Sequence, residues 1–285
     1  MAAQFDHFLI TRFNLRNPKW ELTKNRETLL TEQWMTERLS LFANFCLPSV
    51  AAQSNKDFRW LLFFDDTTAP TFRQQMAEMT APHPFIEIHY IAGMAAFYDS
   101  IAQLVGRSKK PYLITSRLDN DDCIHRDFIA EVQQQFDRQD YLAIDVHKGY
   151  SLQVEPVMML GKKEHVFNPF ISLIEKNEQP RTVWANDHNH WKKESRVRPL
   201  THRRLWMSII HEKNKVNEFD GYGNVDWNDL RQQFIVSEAI DTRIQQTLLP
   251  VSKWRFLSFR NRLYVKWVML NKLFKKSLGL YRVKK

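Results

Sequence analysis

The stretch Tyr112-Leu-Ile-Thr-Ser-Arg-Leu-Asp-Asn-Asp-Asp122 joins an apolar run to three carboxylates, Asp119, Asp121 and Asp122. A buried strand emerging at the edge of a sheet has this pattern: apolar residues stay inside, and polar ones begin where solvent does. Carboxylates so close in sequence repel one another unless a cation stands among them, and hard divalent cations take oxygen ligands. The stretch therefore reads as a strand delivering a site for a metal-held diphosphate.

Upstream, three further apolar runs alternate with amphipathic segments. Phe8-Leu-Ile10 runs into Thr11-Arg12-Phe13-Asn14, Phe58-Arg-Trp-Leu-Leu-Phe-Phe64 ends at Asp65-Asp66-Thr67-Thr68, and Phe85-Ile-Glu-Ile-His-Tyr90 follows. Residues 25–47, 71–79 and 94–105 have helical spacing, and Pro48 is expected to interrupt or restart the first of these helices. Strand–helix alternation over the first ~120 residues predicts a parallel sheet with helices on its faces. Ligands of such sheets sit beyond the carboxyl ends of the strands, where Thr11-Arg12, Asp65-Asp66 and Asp119-Asn120-Asp121 converge.

Downstream, residues 127–136 read as a helix, and 141–144, 150–154 and 157–160 as antiparallel strands. Residues 163–191 give no clear assignment, but they contain Glu175 and Asp187-His188-Asn189-His190-Trp191. The apolar run 206–210 delivers His211; a turn-rich loop over 217–227 and a helix over 230–239 follow.

The 285 residues, 44% hydrophobic, suffice for one large α/β domain with an appendage. Two cysteines exclude a disulfide scaffold and suit a reducing cytoplasm. Residues 1–15 carry Asp6, His7 and Arg12 and do not read as a signal peptide, and no run of about 18 uncharged apolar residues suggests a membrane span. The net charge of +9 is unevenly placed. After Asp241 there are 12 Lys and Arg and no acid, so of 41 basic and 32 acidic residues the first 241 hold 29 and 32, a net of −3. The division expected is a domain over 1–241 and a basic aromatic helical tail over 242–285. In the tail, Trp254, Phe256, Phe259, Leu263, Trp267, Leu270 and Phe274 alternate with Lys and Arg. That pattern suits a helix lying on an anionic membrane, or a basic helix docked on the domain. Nucleic acid is disfavoured because the body is slightly acidic.

Several stretches resemble one family. They are Phe8-Leu-Ile-Thr-Arg-Phe-Asn14, Leu47-Pro-Ser-Val-Ala-Ala-Gln53, Phe58 to Asp65, Thr115-Ser-Arg-Leu-Asp-Asn-Asp-Asp122, Gly149-Tyr150, Pro169-Phe170 with Glu175, and Trp206 with residues 211–217. Together they are similar to the rhamnosyltransferase family and, more distantly, to GT-A glycosyltransferases, over roughly residues 5–220. The tail lies outside. The resemblance implies an α/β, GT-A-like (Rossmann-like) mixed sheet flanked by helices. It also implies sugar transfer from a dTDP-, UDP- or GDP-linked donor to a glycan or lipid-linked acceptor, as in surface polysaccharide synthesis at the inner face of the membrane. Asp119 and Asp121 would meet the diphosphate through Mg²⁺ or Mn²⁺, Asp121 as the direct ligand and His211 joining it. Asp65 would contact the base or ribose, and Thr11 and Arg12 would line the nucleotide pocket.

Each of these residues also has a plainer role open to it. Arg117 suits a phosphate or an ion pair with Asp119. Asp122 suits a helix cap, Asp65 a turn, and His211 a satisfied core position. For the general base, Asp187 has the right chain order, with His188, His190 and Glu175 as competitors. His188 and His190 with Cys46 or Cys123 make no zinc spacing. A calcium-hand loop from Asp119 fails at Cys123 and Ile124, and there is no glycine-rich phosphate loop and no Gly-x-Ser-x-Gly elbow. The rival readings are a metal-dependent phosphohydrolase or nucleotidyltransferase, and a non-catalytic glycan- or membrane-binding protein.

Overall fold

The computed structural model describes residues 4–17, 31–185, 191–212 and 218–281. The chain begins with β1 (Phe5–Arg12), α1 (Glu32–Leu41), α2 (Leu47–Ala51), β2 (Arg59–Asp65), α3 (Pro70–Thr80), β3 (Ile86–Ile91), α4 (Phe97–Val105) and β4 (Tyr112–Arg117). After the acidic turn come β5 (Cys123–Ile124), α5 (Phe128–Gln133), β6 (Tyr141–Val146), β7 (Lys148–Gln153), β8 (Met159–Glu164) and β9 (Ile171–Lys176). It ends with β10 (Val197–Leu200), β11 (Trp206–Ile210), α6 (Trp227–Leu230), α7 (Glu238–Thr247) and α8 (Arg255–Ser277).

Seven strands form one sheet in the order β10-β6-β9-β4-β1-β2-β3, and four form a second in the order β5-β11-β7-β8. The strands β4, β1, β2 and β3 are parallel, as the strand–helix alternation predicts. Both faces of this part are covered, so its strands are continuous apolar runs. Leu9, Trp60, Leu62 and Phe64 face the core under α1, α2, α3 and α5, while Phe8, Ile10, Leu61 and Phe63 face the one under α4. The α/β expectation of a mixed sheet flanked by helices holds.

The structure corrects several expectations. Residues 163–191, left unassigned, contain β9, which lies antiparallel between β4 and β6 and makes the large sheet mixed. The strand at 141–146 joins the large sheet, whereas only β7 and β8 pair antiparallel with each other. Of the two roles expected of Pro48, the structure has the restart. A π-wound turn, Phe42–Cys46, links α1 to α2, and Pro48 opens α2. Proline has no N–H to give the Asn44 carbonyl, which instead accepts from Ser237 N–H at 2.9 Å. The helix expected over 230–239 is instead α6, a turn and α7, because Ser237 caps α7 by accepting from Ile240 N–H. The expected domain boundary at Asp241 falls within α7, whose Ile240 and Ile244 are buried against the second sheet.

The two sheets meet at Trp206 of β11. Its ring stacks on Phe170 at 4.8 Å, and its indole N–H donates to the Val146 carbonyl of β6 at 2.7 Å. The paired residue on β7 is Gly149, where a Cβ would stand 2.1 Å from the indole ring, so a side chain there is excluded.

The helix α8 docks along one face and exposes the other. Ser258, Asn261 and Val265 are buried, Met269 packs on the core, and Lys272 and Lys276 bond the Val166 and Glu194 carbonyls. About half a turn away, Phe256, Phe259, Leu263, Trp267, Leu270 and Phe274 form a solvent-facing apolar stripe. Among the described residues no helix is long and apolar enough to cross a membrane.

Inside β1, His7 is buried, and its Nε2 shares a 2.8 Å hydrogen bond with the Ser116 hydroxyl of β4. Burial lowers its pKa from 6.5 to about 3. The unfolded chain therefore binds the extra proton between these values, so His7 favours folding fully above pH 6.5 and progressively less as pH falls. Stability is expected to drop by roughly 1 kcal/mol per pH unit below pH 6.5 from this residue. Urea unfolding of His7→Gln at pH 7 and pH 5 checks it: the variant should lose less stability between the two than the wild type.

Candidate active site

The chain order of the large sheet reverses between β1 and β4. From β1 it steps to β2 and β3 on one side, and then crosses to β4 on the other. In open α/β sheets this switch point leaves a crevice beyond the strand ends, the usual ligand position. Arg12 ends β1 and Arg117 ends β4, and the acidic turn follows Arg117 directly.

Each carboxylate of that turn has its own partner. Asp119, one-third exposed, lies 3.3 Å from Arg117 Nη2. Asp121 is nearly buried; its Oδ2 accepts from Arg38 Nη1 at 2.5 Å and lies 3.3 Å from His211 Nε2. Burial alone would raise the Asp121 pKa, but Arg38 and His211 outweigh it and hold the carboxyl well below its usual range. Asp122 behaves oppositely. Burial first, then the charges of Asp121 and Asp119, push its pKa well up, and its Oδ1 accepts from Ile209 N–H at 2.9 Å. Asp122 is therefore a pin for β11 and not a helix cap. The repulsion that suggested a resident cation is relieved by two guanidinium groups and one raised pKa.

Arg117 packs over the Trp184 ring at 4.1 Å and Arg12 over the same ring at 5.6 Å. Burial lowers the Arg12 pKa to about 10, with nearby Asp119 acting in the opposite direction. Among the described residues, Arg117 Nε and Trp184 Nε1 are buried without a hydrogen-bond partner, two donors that a ligand in this crevice would satisfy.

The other expected residues are placed as follows. Thr11 is fully buried and accepts from Trp60 Nε1 at 2.9 Å, which takes its hydroxyl into the β1–β2 core. Asp65 is buried at the end of β2. Its Oδ2 accepts from Arg16 N–H and its Oδ1 from Thr67, so it braces the turn after β2 and the segment after β1. Its pKa is lowered: burial opposes this, and the Thr67 and Arg16 bonds prevail. Glu175 pairs with Leu113 at the start of β4, the opposite end of the sheet from the acidic turn. There it accepts from the Arg181 and Thr182 amides, which removes it from the candidates for the general base. Asp187, His188 and His190 lie outside the described residues.

Two contributors escaped the sequence reading. Arg38 sits on an amphipathic helix among other charged residues, and Trp184 lies in a stretch without periodicity; only the fold brings both to the acidic turn.

For a divalent ion, the donor chemistry fits in part. Asp121 and His211 offer oxygen and nitrogen 3.3 Å apart, near the ~3 Å separation of neighbouring donors on an octahedral ion with bonds of about 2.1 Å. Among the described residues, no three His, Cys, Asp or Glu side chains approach closely enough to hold a metal by themselves. An ion here would complete its shell from the ligand.

Two solved structures share an overall resemblance at low identity. S. aureus TarS residues 1–349 in complex with UDP-GlcNAc is 12% identical, with a TM-score of 0.42 over 74% of this chain and 60% of that one. The mannosyltransferase PcManGT from Pyrobaculum calidifontis, in complex with GDP-Man and Mn²⁺, is 11% identical, with a TM-score of 0.41 over 73% and 58%. This chain thus spans about 60% of the TarS fragment's length. No curated protein matches it. Residues 6–221, well over half of the chain, match the family described as "Putative rhamnosyl transferase", and the chain belongs to that family.

Proposed function

We propose that the chain is a GT-A-like glycosyltransferase. It moves a sugar, rhamnose by the family's description, from a dTDP-, UDP- or GDP-linked donor to a hydroxyl of a glycan or lipid-linked acceptor in surface polysaccharide synthesis. One observation carries this reading: an Asp-x-Asp turn and two arginines converge on the switch point of a mixed sheet. Arg12 and Arg117 take the diphosphate, and the Trp184 ring keeps both guanidinium groups in place. Asp121 and His211 hold Mg²⁺ or Mn²⁺ with Asp119 beside them. When bound, the ion offsets the charge of the departing diphosphate. Asp65 braces the turn beneath the base and ribose, and Thr11 supports the end of β1 from within the core. Asp187, three residues beyond Trp184, takes the acceptor proton, with His188 as its neighbour. The exposed stripe of α8, flanked by Lys and Arg, rests on an anionic membrane at the cytoplasmic face.

Calorimetric titration with Mn²⁺ and a panel of dTDP, UDP, GDP and their sugars tests the donor site. One nucleotide is expected to bind only with metal. Failure of every nucleotide would leave a glycan- or membrane-binding protein. Turnover releasing inorganic phosphate or pyrophosphate, in place of nucleoside diphosphate, would reassign the site to hydrolysis or nucleotidyl transfer.

A further inference from the structure

A second concavity lies away from the switch point. A cavity of about 520 Å³ opens between α8 and the second sheet, at the end of β11 opposite His211. Lys148 and Lys162 reach it from β7 and β8, and Arg255, Arg262 and Lys266 from α8. Glu164 is its one acidic lining residue, and that carboxylate is already engaged. Arg204 Nη2 donates to Glu164 Oε1 at 2.5 Å, and the Tyr222 hydroxyl to Oε2 at 2.5 Å. Among the described residues, none of the five other cations has a carboxylate within ion-pair reach of 4.0 Å. Five like charges around a recess with protein walls focus a positive potential that only an anion relieves. Two of them are arginines, whose planar forks match phosphoryl oxygens.

The cavity also continues into the exposed apolar face of α8. Phe259 lines the recess and stands 61% exposed within the stripe that runs to Phe274. A phosphate bound here would therefore sit beside a surface suited to acyl chains. We infer that this cavity is a phosphate site separate from the donor site, and that its ligand is a phosphoryl group borne by a lipid at the membrane surface. The lipid source rests on the membrane reading of α8; the phosphate chemistry does not.

The test uses the full chain and vesicles of phosphatidylcholine with or without phosphatidylglycerol, with inorganic pyrophosphate as the soluble competitor. A pocket variant carries Lys162→Ala, Arg262→Ala and Lys266→Ala. A control loses the same three charges on exposed positions outside the pocket, by Lys253→Ala, Arg260→Ala and Lys275→Ala. The pocket variant is expected to lose at least ~10-fold more affinity for the anionic vesicles than the control, because each basic residue near such a surface contributes on the order of 1 kcal/mol and the pocket adds direct phosphate contacts. Pyrophosphate should displace the wild type and leave the residual binding of the pocket variant unchanged. Equal losses in the two variants would overturn the pocket, since diffuse charge would then explain the attraction. Pyrophosphate binding lost in the pocket variant while vesicle affinity stays at the wild-type level would overturn the lipid source. Nucleotide titration of the same samples reports the donor site independently and shows that the variants are folded.

Discussion

Replacing Asp121 by asparagine is expected to lower kcat/KM by ~10²–10³-fold, the usual effect of removing one preorganised charge-stabilising group. Asp121 carries this weight because its carboxylate is the one held ionised by two cationic or hydrogen-bonding partners, Arg38 and His211, at the switch point. Asparagine keeps the shape and still accepts from Arg38, but it supplies no negative charge to a metal. Metal-dependent nucleotide binding should fall with turnover. The change also removes the counter-ion of a largely buried guanidinium, so thermal unfolding must be followed in parallel. Asp119→Asn is the companion: its carboxylate is one-third exposed, so the fold bears little risk. A folded Asp121→Asn enzyme that turns over within about threefold of wild type would remove Asp121 from the metal role assigned to it.

Trp206→Ala is expected to cost ~3–5 kcal/mol of stability, the range for truncating a buried aromatic. The indole is 1% exposed, stacks on Phe170, fills the space left by Gly149, and donates to the Val146 carbonyl across the two sheets. Nothing nearby can collapse into the hole without moving one sheet against the other. Trp206→Phe separates the contributions. It keeps much of the stacking and removes one of the two donors to the Val146 carbonyl, which Asn168 Nδ2 still reaches at 2.7 Å, so about 1 kcal/mol is expected from the lost hydrogen bond. Urea unfolding midpoints at constant m-value check both. A cost below about 1 kcal/mol for the alanine variant would mean that the sheets are joined elsewhere. Because β11 leads directly into His211, the loss should loosen the site as well as the core.

The parallel half of the sheet was legible because burial on both faces forces continuous apolar runs, and β1, β2 and β4 each carry one. The acidic turn was legible for the same reason: polarity changes abruptly where a buried strand ends. What the sequence hid was pairing. The run 170–174 is as apolar as β1, but nothing local says that it enters antiparallel between β4 and β6. The helix over 230–239 was misplaced because nothing local showed that α6 ends at Leu230 and that Ser237 caps a separate helix, α7. At the site, the acids were found together with Arg117, which pairs with Asp119, but the Arg38 counter-ion of Asp121 was not. Arg38 meets Asp121 across 83 positions, a contact set by how α1 packs on the sheet. Glu175 shows the converse, a carboxylate attractive in composition that the register puts at the wrong end of its strand.

The order of the large sheet also bears on how the chain is made. One edge of β1 pairs with β2 soon after both are synthesised, but its other edge must wait for residues 112–117, about 100 positions later. At ribosomal rates of roughly 5–20 residues per second, that edge stays open for on the order of 5–20 s. The outer edge of β4 then waits for β9, a further stretch that includes all of the β7–β8 hairpin. During this interval the nascent chain presents an apolar strand with unpaired amides and carbonyls, the kind of surface that recruits other chains. A partner that covers exposed strands until residues 171–176 leave the exit tunnel would protect the chain at this stage.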